Sequence, residues 1–321
     1  MSVLIPNYTV KIGSEAFQPK TGTIISIRVS LNMNVPAGSF ETLFDLTDKS
    51  LKIKRGDEVS IQLGYEDKFH DVFKGSVDDI EPNISEIRIT GFNAASKLLE
   101  LRVNQVYEQQ SAKEIVSDLA QKANVQTEEV SDGISFPMYV VDDTKNAYEH
   151  MRDLADKCGF DVYVTGENKL VFKKYERKDP HTLKYGSNII DVETYDWKPS
   201  FSRLVVQGEG AASYKGADTA HWFTKKQVEG VTGSGASLLL HDPVIRDKDT
   251  AEKVAEARME VISKTIYGLA EIIGNAEVKL SDTIKFEGMK DDRINKEFQV
   301  RAVEHVMNKD EGFVTLVGWR E

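Results

Sequence analysis

The sequence holds a single cysteine, Cys158, in 321 residues, which excludes an intramolecular disulfide and any cysteine-rich metal centre. Its setting, Leu154-Ala155-Asp156-Lys157-Cys158-Gly159, places it on the apolar side of a helix end, the position of a small buried side chain. No run approaches the roughly 20 apolar residues that cross a bilayer as a helix, so no membrane anchor is expected. The opening Met1-Ser2-Val3-Leu4-Ile5-Pro6 has no basic leader followed by a long apolar stretch. The chain is therefore expected to be made and folded in the cytoplasm, or to leave it without a cleaved signal. Positive charge is also short: 41 Lys and Arg stand against 52 Asp and Glu, a net charge of -11. That balance argues against a protein whose main task is to grip phosphate backbones, and it suits a surface past which a polyanion slides without sticking.

Reactive constellations are equally scarce. The histidines are His70, His150, His181, His221, His241 and His305, and none stands at metal-ligand spacing from another. His150 and Asp153 share one helix face, yet a site needs third and fourth ligands from elsewhere. Gly233-Ser234-Gly235 lacks the strand before and the helix after that make a nucleophile elbow. Gly208-Glu209-Gly210 runs into Ala211-Ala212-Ser213, so the dinucleotide fingerprint fails at its third glycine, and no Walker lysine is present. Asp142-Asp143 precedes a helix, where carboxylates meet the positive end of the dipole, and Asp291-Asp292 falls with Gly288 in a turn. A glycosidase pair would have to be assembled in three dimensions from such residues. No catalytic, cofactor-binding or metal residue is assigned, and neither enzyme activity nor a cofactor is expected.

What is present is mostly β-pattern. Residues 23–31 alternate at period two, and Ser39–Leu46 can follow as a second strand after the Pro36-Ala37-Gly38 turn. Val59, Ile61 and Leu63 share a face, Phe73, Gly75 and Val77 continue it, and Ile87 with Ile89 closes it. The middle changes period. Ser111 with Glu114 forms a capping box ahead of Ile115, Val116, Leu119, Ala120 and Ala123. A second helix is expected from about Thr144 to Cys158 with Gly159 as its left-handed stop, feeding a hairpin around Thr165–Lys169. From about residue 187 the chain returns to strands. One helix interrupts them, expected to start at Asp249 and Glu252, with Val254, Arg258, Val261 and Ile262 along one side.

Two stretches look like variants of one module. The first reads Gly56-Asp57-Glu58-Val59-Ser60-Ile61, then Val77-Asp78-Asp79-Ile80, then Glu86-Ile87-Arg88-Ile89-Thr90-Gly91. The second reads Ser281-Asp282-Thr283-Ile284-Lys285-Phe286, then Val303-Glu304-His305-Val306, then Gly312–Gly318. Asp57 maps onto Asp282 and Val77 onto Val303, with one insertion or deletion between them. A module carried twice points to a part built on pseudo-symmetry. The expected fold is mixed α+β, mainly β, with two small β-barrel domains flanking a helix-containing α/β region. The division is 1–100 (first barrel module), 101–186 (α/β middle) and 187–321 (second barrel module with one inserted helix).

Three places carry a resemblance to the baseplate hub family of contractile phage tails, the group of the late control gene D proteins and the hub portion of the type VI spike protein VgrG. The first is Gly56-Asp57-Glu58-Val59, Gly64-Tyr65 and Val72-Phe73-Lys74-Gly75-Ser76-Val77. The second is the helix ending Met151–Phe160 with its hairpin. The third is Asp242-Pro243-Val244 before Thr250-Ala251-Glu252, then Phe298-Gln299-Val300, Val303-Glu304-His305 and Gly312-Phe313-Val314-Thr315. Ser281 replaces the glycine usual before Asp282, and Gln299-Val300 stands where the family often has a glycine-tyrosine turn. The resemblance implies a homotrimer whose two barrel domains per subunit supply six similar positions, joining a hexameric tail tube to a trimeric spike. With the chain ending at Glu321, it implies a separate spike protein. Tube, spike and other baseplate proteins are the implied partners, with DNA or cargo passing the lumen without specific binding, in a phage virion or a phage-tail-like particle. The alternatives are a tail-associated cell-wall hydrolase and a glycan-binding or adsorption protein, for which Tyr214, Trp222 and Phe223 are the local aromatic cluster.

Overall fold

The computed structural model describes residues 4–21, 23–45, 52–209 and 228–321. The first part of the chain folds into β1 (Pro6–Ile12), β2 (Glu15–Phe17), β3 (Ile24–Asn32), β4 (Ser39–Asp45), β5 (Glu58–Tyr65), β6 (Lys68–Pro82) and β7 (Glu86–Phe92). The middle contains α1 (Ala95–Glu100), β8 (Gln105–Ser111), α2 (Ala112–Lys122), β9 (Thr127–Val130), β10 (Ser135–Val141), α3 (Ala147–Cys158), β11 (Asp161–Val164) and β12 (Leu170–Lys173). Then follow β13 (His181–Lys184) and β14 (Ile189–Asp196), an insertion of β15 (Arg203–Gly208), β16 (Glu229–Gly233), β17 (Ser237–Asp242) and α4 (Lys248–Ile262), and finally β18 (Ile266–Ile273), β19 (Thr283–Glu287), β20 (Glu297–Asn308) and β21 (Gly312–Arg320).

The strands at the two ends of the chain form one 13-stranded sheet in the order β2-β1-β5-β6-β7-β4-β3-β20-β21-β18-β14, with β19 and β13 attached beside β20. Among the described residues no pairing closes either half into the small barrel expected from its alternation. The reason lies in β20. At 12 residues it outruns the 5-residue β19, which covers only its beginning, and the rest of that edge takes β3 from the other half of the chain. The period-two expectation for residues 23–31 holds with one interruption. A bulge between Ile24 and Ser26 shifts the phase, so Ile24 and then Ile27, Val29 and Leu31 all face inward.

One apolar core serves both halves, drawing Val10, Phe40, Ile61 and Phe73 from the first and Phe286, Phe298, Val303 and Trp319 from the second. Tyr65 and Phe313 meet across the halves with ring centroids 5.6 Å apart. The middle region has a separate core around α2, α3 and their short sheets. Helix α4 packs on the three-stranded sheet of β15, β16 and β17 through Ala251, Val254 and Ala255. Lys157 of α3, only 2% exposed, ties these two regions together by pairing with Asp153 at 2.6 Å and with Asp242 of β17 at 2.9 Å.

Local signals account for the helix ends. The capping box of α2 is Ser111 with Glu114, as its spacing requires. Helix α3 starts at Ala147 behind a second capping box, Asn146 with Glu149, and ends at Gly159 with φ of 66°. Helix α4 begins at Lys248 and is capped two residues before the expected Asp249: Asp247 is its N-cap, accepting from the Thr250 N–H at 2.8 Å and from the Thr250 hydroxyl at 2.8 Å.

Candidate functional site: repeated sheet halves and their free edges

The likeness between the two modules is anchored in one turn. In the first, the Asp57 carboxylate accepts the Lys54 N–H at 2.8 Å and its carbonyl accepts the Val77 N–H at 2.9 Å. In the second, the Asp282 carboxylate accepts the Lys279 N–H at 2.9 Å and its carbonyl accepts the Val300 N–H at 2.9 Å. Gly56 and Ser281 donate their own N–H groups to the carbonyls of Val77 and Val300. Both residues have positive φ, 84° and 65°, so the serine adopts the backbone that glycine adopts more easily. Burial would raise the Asp282 pKa, but hydrogen bonds from His181, Lys178 and the Lys279 N–H outweigh it and hold the carboxyl below its ordinary value.

Beyond that turn the halves match strand for strand. Reading across the sheet, β1-β5-β6-β7-β4-β3 corresponds to β13-β19-β20-β21-β18-β14, and along the chain the two sets occur in the same order. Only the first strand differs in direction, β1 being antiparallel to β5 and β13 parallel to β19. Two bulges repeat. The break between Val77 and Asp79 facing β7 recurs between Val300 and Ala302 facing β21, and the break between Ile24 and Ser26 facing β4 recurs between Ile189 and Asp191 facing β18. Val77 therefore aligns with Val300 and not with Val303, while the alignment of Asp57 with Asp282 stands. The equivalence is not continued by the insertion: β3 and β4 are joined by a short turn, whereas β15–β17 and α4 lie between β14 and β18.

The halves are stitched where β20 pairs with β3, from Ala302 opposite Asn32 to Asn308 opposite Ser26. Arg28 and Glu304 form an ion pair across this junction at 2.7 Å. His305 is buried opposite Val29, with Nδ1 3.0 Å from the Thr315 hydroxyl, and burial pushes its pKa down to about 3. It is therefore a neutral core residue. The equivalent edges elsewhere are free among the described residues: Asp79–Pro82 of β6 pairs only with β7, and β14 pairs only with β18. Beside the β14 edge Tyr195, Trp197, Tyr267 and Leu269 are each about half exposed, and Tyr195 stacks on Tyr267 at 5.4 Å. The residues at the same places in the first half are Ser30, Asn32, Ser39 and Glu41.

A second built feature is a cavity of about 250 Å³ between α3, α4, β11 and the ends of β20 and β21. Asp161 of β11 accepts from Arg301 and, at 2.6 Å, from Gln299. Burial, and then the neighbouring Arg301, lowers the Arg320 pKa to about 10, and burial followed by Arg320 lowers that of Lys264. Asp161 thus holds the middle region to β20 while offsetting a crowd of cations.

The residues weighed for chemistry are placed in structural roles. His150 Nε2 bonds to the Asp142 carbonyl at 3.0 Å, whereas Asp153 is held by Tyr139 and Lys157, so the two do not converge. The Asp142 carboxylate accepts the Thr144 N–H at 2.9 Å, and the Asp143 carbonyl accepts from Arg102 at 2.8 Å. Asp291 caps a short 3-10 turn and chelates Arg293. Cys158 is buried, its sulfur accepts the Ile134 N–H at 3.3 Å, and burial pushes its pKa up to about 11. Gly233 and Gly235 turn the chain out of β16 with positive φ and no helix follows them directly. Among the described residues no three His, Cys, Asp or Glu side chains gather as a metal site, and no helix is long and apolar enough to cross a membrane. Tyr214, Trp222, Phe223 and His221 lie outside the described residues. The free edges could not be read from any motif, because they are defined by what the equivalent strand pairs with.

This doubled sheet with a helical middle is the fold of phage tail proteins. The 43 kDa tail protein of prophage MuSo2 from Shewanella oneidensis shares it at a TM-score of 0.75 and 15% identity, over 98% of this chain and 98% of that one. The tail protein from Neisseria meningitidis MC58 shares it at 0.75 and 12% identity, over 99% and 97% of the two chains. The E. coli c3393 protein, a component of the type VI secretion system with structural similarity to the T4 bacteriophage tail proteins gp27 and gp5, shares it at 0.63 and 10% identity, over 97% and 76%. No curated protein matches the sequence. The family model described as the Alg8 N-terminal domain matches residues 30–309, and the chain belongs to that family.

Proposed function

We propose that this protein is a structural, non-enzymatic baseplate hub subunit of a contractile phage tail or injection particle. Three copies form a ring between a hexameric tail tube and a trimeric spike. The observation that carries the reading is the repeat itself: two six-strand sets in the same order, with the same bulges and the same turn, give each subunit two equivalent places, and three subunits then match a six-fold tube. In this ring the halves stand as the two barrel-like modules, with the α/β region of residues 101–186, apart from β13, and the insertion of β15–β17 and α4 outside the repeat. A separate spike protein, the tube protein and other baseplate proteins are the partners, and DNA or cargo passes through the lumen without specific binding. The subunit is assembled in the bacterial cytoplasm and ends up in the particle. The fold shared with tail proteins and the acidic balance of the chain support this.

Light scattering on the purified chain, alone and mixed with a candidate spike protein from the same genome, tests the reading. A complex of about three times 36.0 kDa is expected. A persistent monomer with no affinity for spike or tube protein overturns it.

A further inference from the structure

β20 and β6 are equivalent strands, and so are β3 and β14. Within the chain the second part of β20 is covered by β3, whereas the matching part of β6 and the outer edge of β14 have no strand beside them among the described residues. We propose that these two free edges are the two sides of one contact. β14 of one subunit pairs antiparallel with β6 of a second copy, repeating between subunits the junction that β3 and β20 make inside each. This rests on the ring reading above and adds the contact and its register.

The repeated bulges fix that register. Asp78 is the extra residue of β6 as Arg301 is of β20, and Ile190 is the extra residue of β14 as Ile25 is of β3. Carrying the pairing of Ala302 with Asn32 across sets Asp79 opposite Trp197 of the second copy, Ile80 opposite Asp196, Glu81 opposite Tyr195 and Pro82 opposite Thr194. In the internal junction the Met33 N–H donates to the Arg301 carbonyl at 3.0 Å. Because antiparallel pairs alternate, Leu31 and Val303 exchange hydrogen bonds while Ser30 and Glu304 do not. Ile80 with Asp196 is then a hydrogen-bonded pair, and Glu81 with Tyr195 is a close, non-bonded one.

Two differences from the template follow. Pro82 stands where His305 turns its N–H towards β3; lacking that donor, it ends the ladder early and keeps the contact short. The ion pair of Arg28 with Glu304 has Glu193 and Glu81 at its equivalent places, and each is held within its own chain, Glu193 by the Tyr195 hydroxyl at 2.6 Å and Glu81 by Arg88 at 3.5 Å. Exposed Tyr195, Trp197, Tyr267 and Leu269 supply apolar area where the first half has polar residues. The contact uses a different edge on each copy, so it runs head to tail and closes only at the rotation that the internal junction already sets.

Cysteine cross-linking of the full chain tests this in a C158A background. Non-bonded antiparallel pairs bring Cα atoms to about 4.5 Å, within disulfide range. E81C combined with Y195C should oxidise to covalent species of up to three chains on a non-reducing gel. E81C with E193C, displaced by two residues, should give about ten-fold less. S30C with E304C, the same pair at the internal junction, should close within single chains. Mixing chains that carry only E81C with chains that carry only Y195C should give cross-linked dimers, which also covers a double variant that folds poorly. A trimer in which S30C with E304C closes but E81C with Y195C does not overturns the edge pairing and leaves the hub reading standing. Register-specific ladders longer than three chains support the pairing and overturn the three-fold ring, and an uncross-linked monomer overturns both.

Discussion

The two halves of the sheet keep the same backbone and share few side chains. Gly56 and Ser281 occupy one left-handed position, Asp57 and Asp282 hold one turn, and bulges fall at matching places, yet Arg301 stands where Asp78 does and His305 where Pro82 does. The hydrogen-bonded frame is therefore the repeated object, and the side chains have diverged with their surroundings. Where the second half borrows β3 to cover β20 it buries a histidine, and the arginine at its bulge is ion-paired with Asp161 of the middle region. Where the first half leaves β6 uncovered it presents a proline and solvated carboxylates.

The sharpest way to break that comparison is at the diverged bulge. Asp161→Ala leaves Arg301 uncompensated beside Arg320 at a nearly buried site, and a loss of about 3–5 kcal/mol is expected in urea denaturation. Asp78→Ala at the equivalent, exposed bulge should stay within about 0.5 kcal/mol. Next in size is His305. Its folded pKa of about 3 lies below the ordinary imidazole value of 6.5. Its contribution is complete above pH 6.5 and falls away by about 1.4 kcal/mol per pH unit towards pH 3. A pH series of denaturation curves should lose that slope in His305→Gln, while Pro82 gives the first half nothing to titrate.

The shared turn separates the halves more gently. Gly56→Ser forces a side chain into the left-handed region and should destabilise by about 1 kcal/mol. Ser281→Gly should be close to neutral, because relief of the same strain is offset by losing the serine's bond to Tyr163, itself about 1 kcal/mol; thermal melts of the two variants side by side would expose equal effects if the turns were interchangeable. The smallest change belongs to Arg28→Ala, whose partly exposed pair with Glu304 is worth about 0.2–1 kcal/mol, an effect that should shrink when wild type and variant are compared in high salt.

Features whose determinants lie close together along the chain were legible in the sequence. The Ser111 and Glu114 capping box and the Gly159 stop each depend on neighbours within a few residues, and the aligned Asp57 and Asp282 each accept an N–H from three residues back. The start of α4 slipped from Asp247 to Asp249 because either carboxylate satisfies the rule and only the Thr250 bonds decide. The alignment of Val77 with Val303 failed for a different reason: alternating strands can be slid along one another without visible penalty, and the bulge that locks them leaves no mark in the pattern. The clamp of Asp161 on Arg301 and the junction of β3 with β20 join residues separated by 140 and 276 positions, where periodicity has nothing to say. The free edges follow from that same junction, and so were hidden with it.

The reach of the β3–β20 junction also bears on synthesis. Residues 26–32 emerge from the ribosome long before residues 302–308 exist, and for most of translation β3 and the second part of β6 are bare edges on the same nascent fragment. Because β3 is built like β14 and β6 like β20, the β3 edge of one unfinished chain fits the β6 edge of another. Premature pairing between neighbouring chains on a polysome is thus a specific hazard of this architecture. It ends for β3 when the last strands arrive and occupy its edge from within.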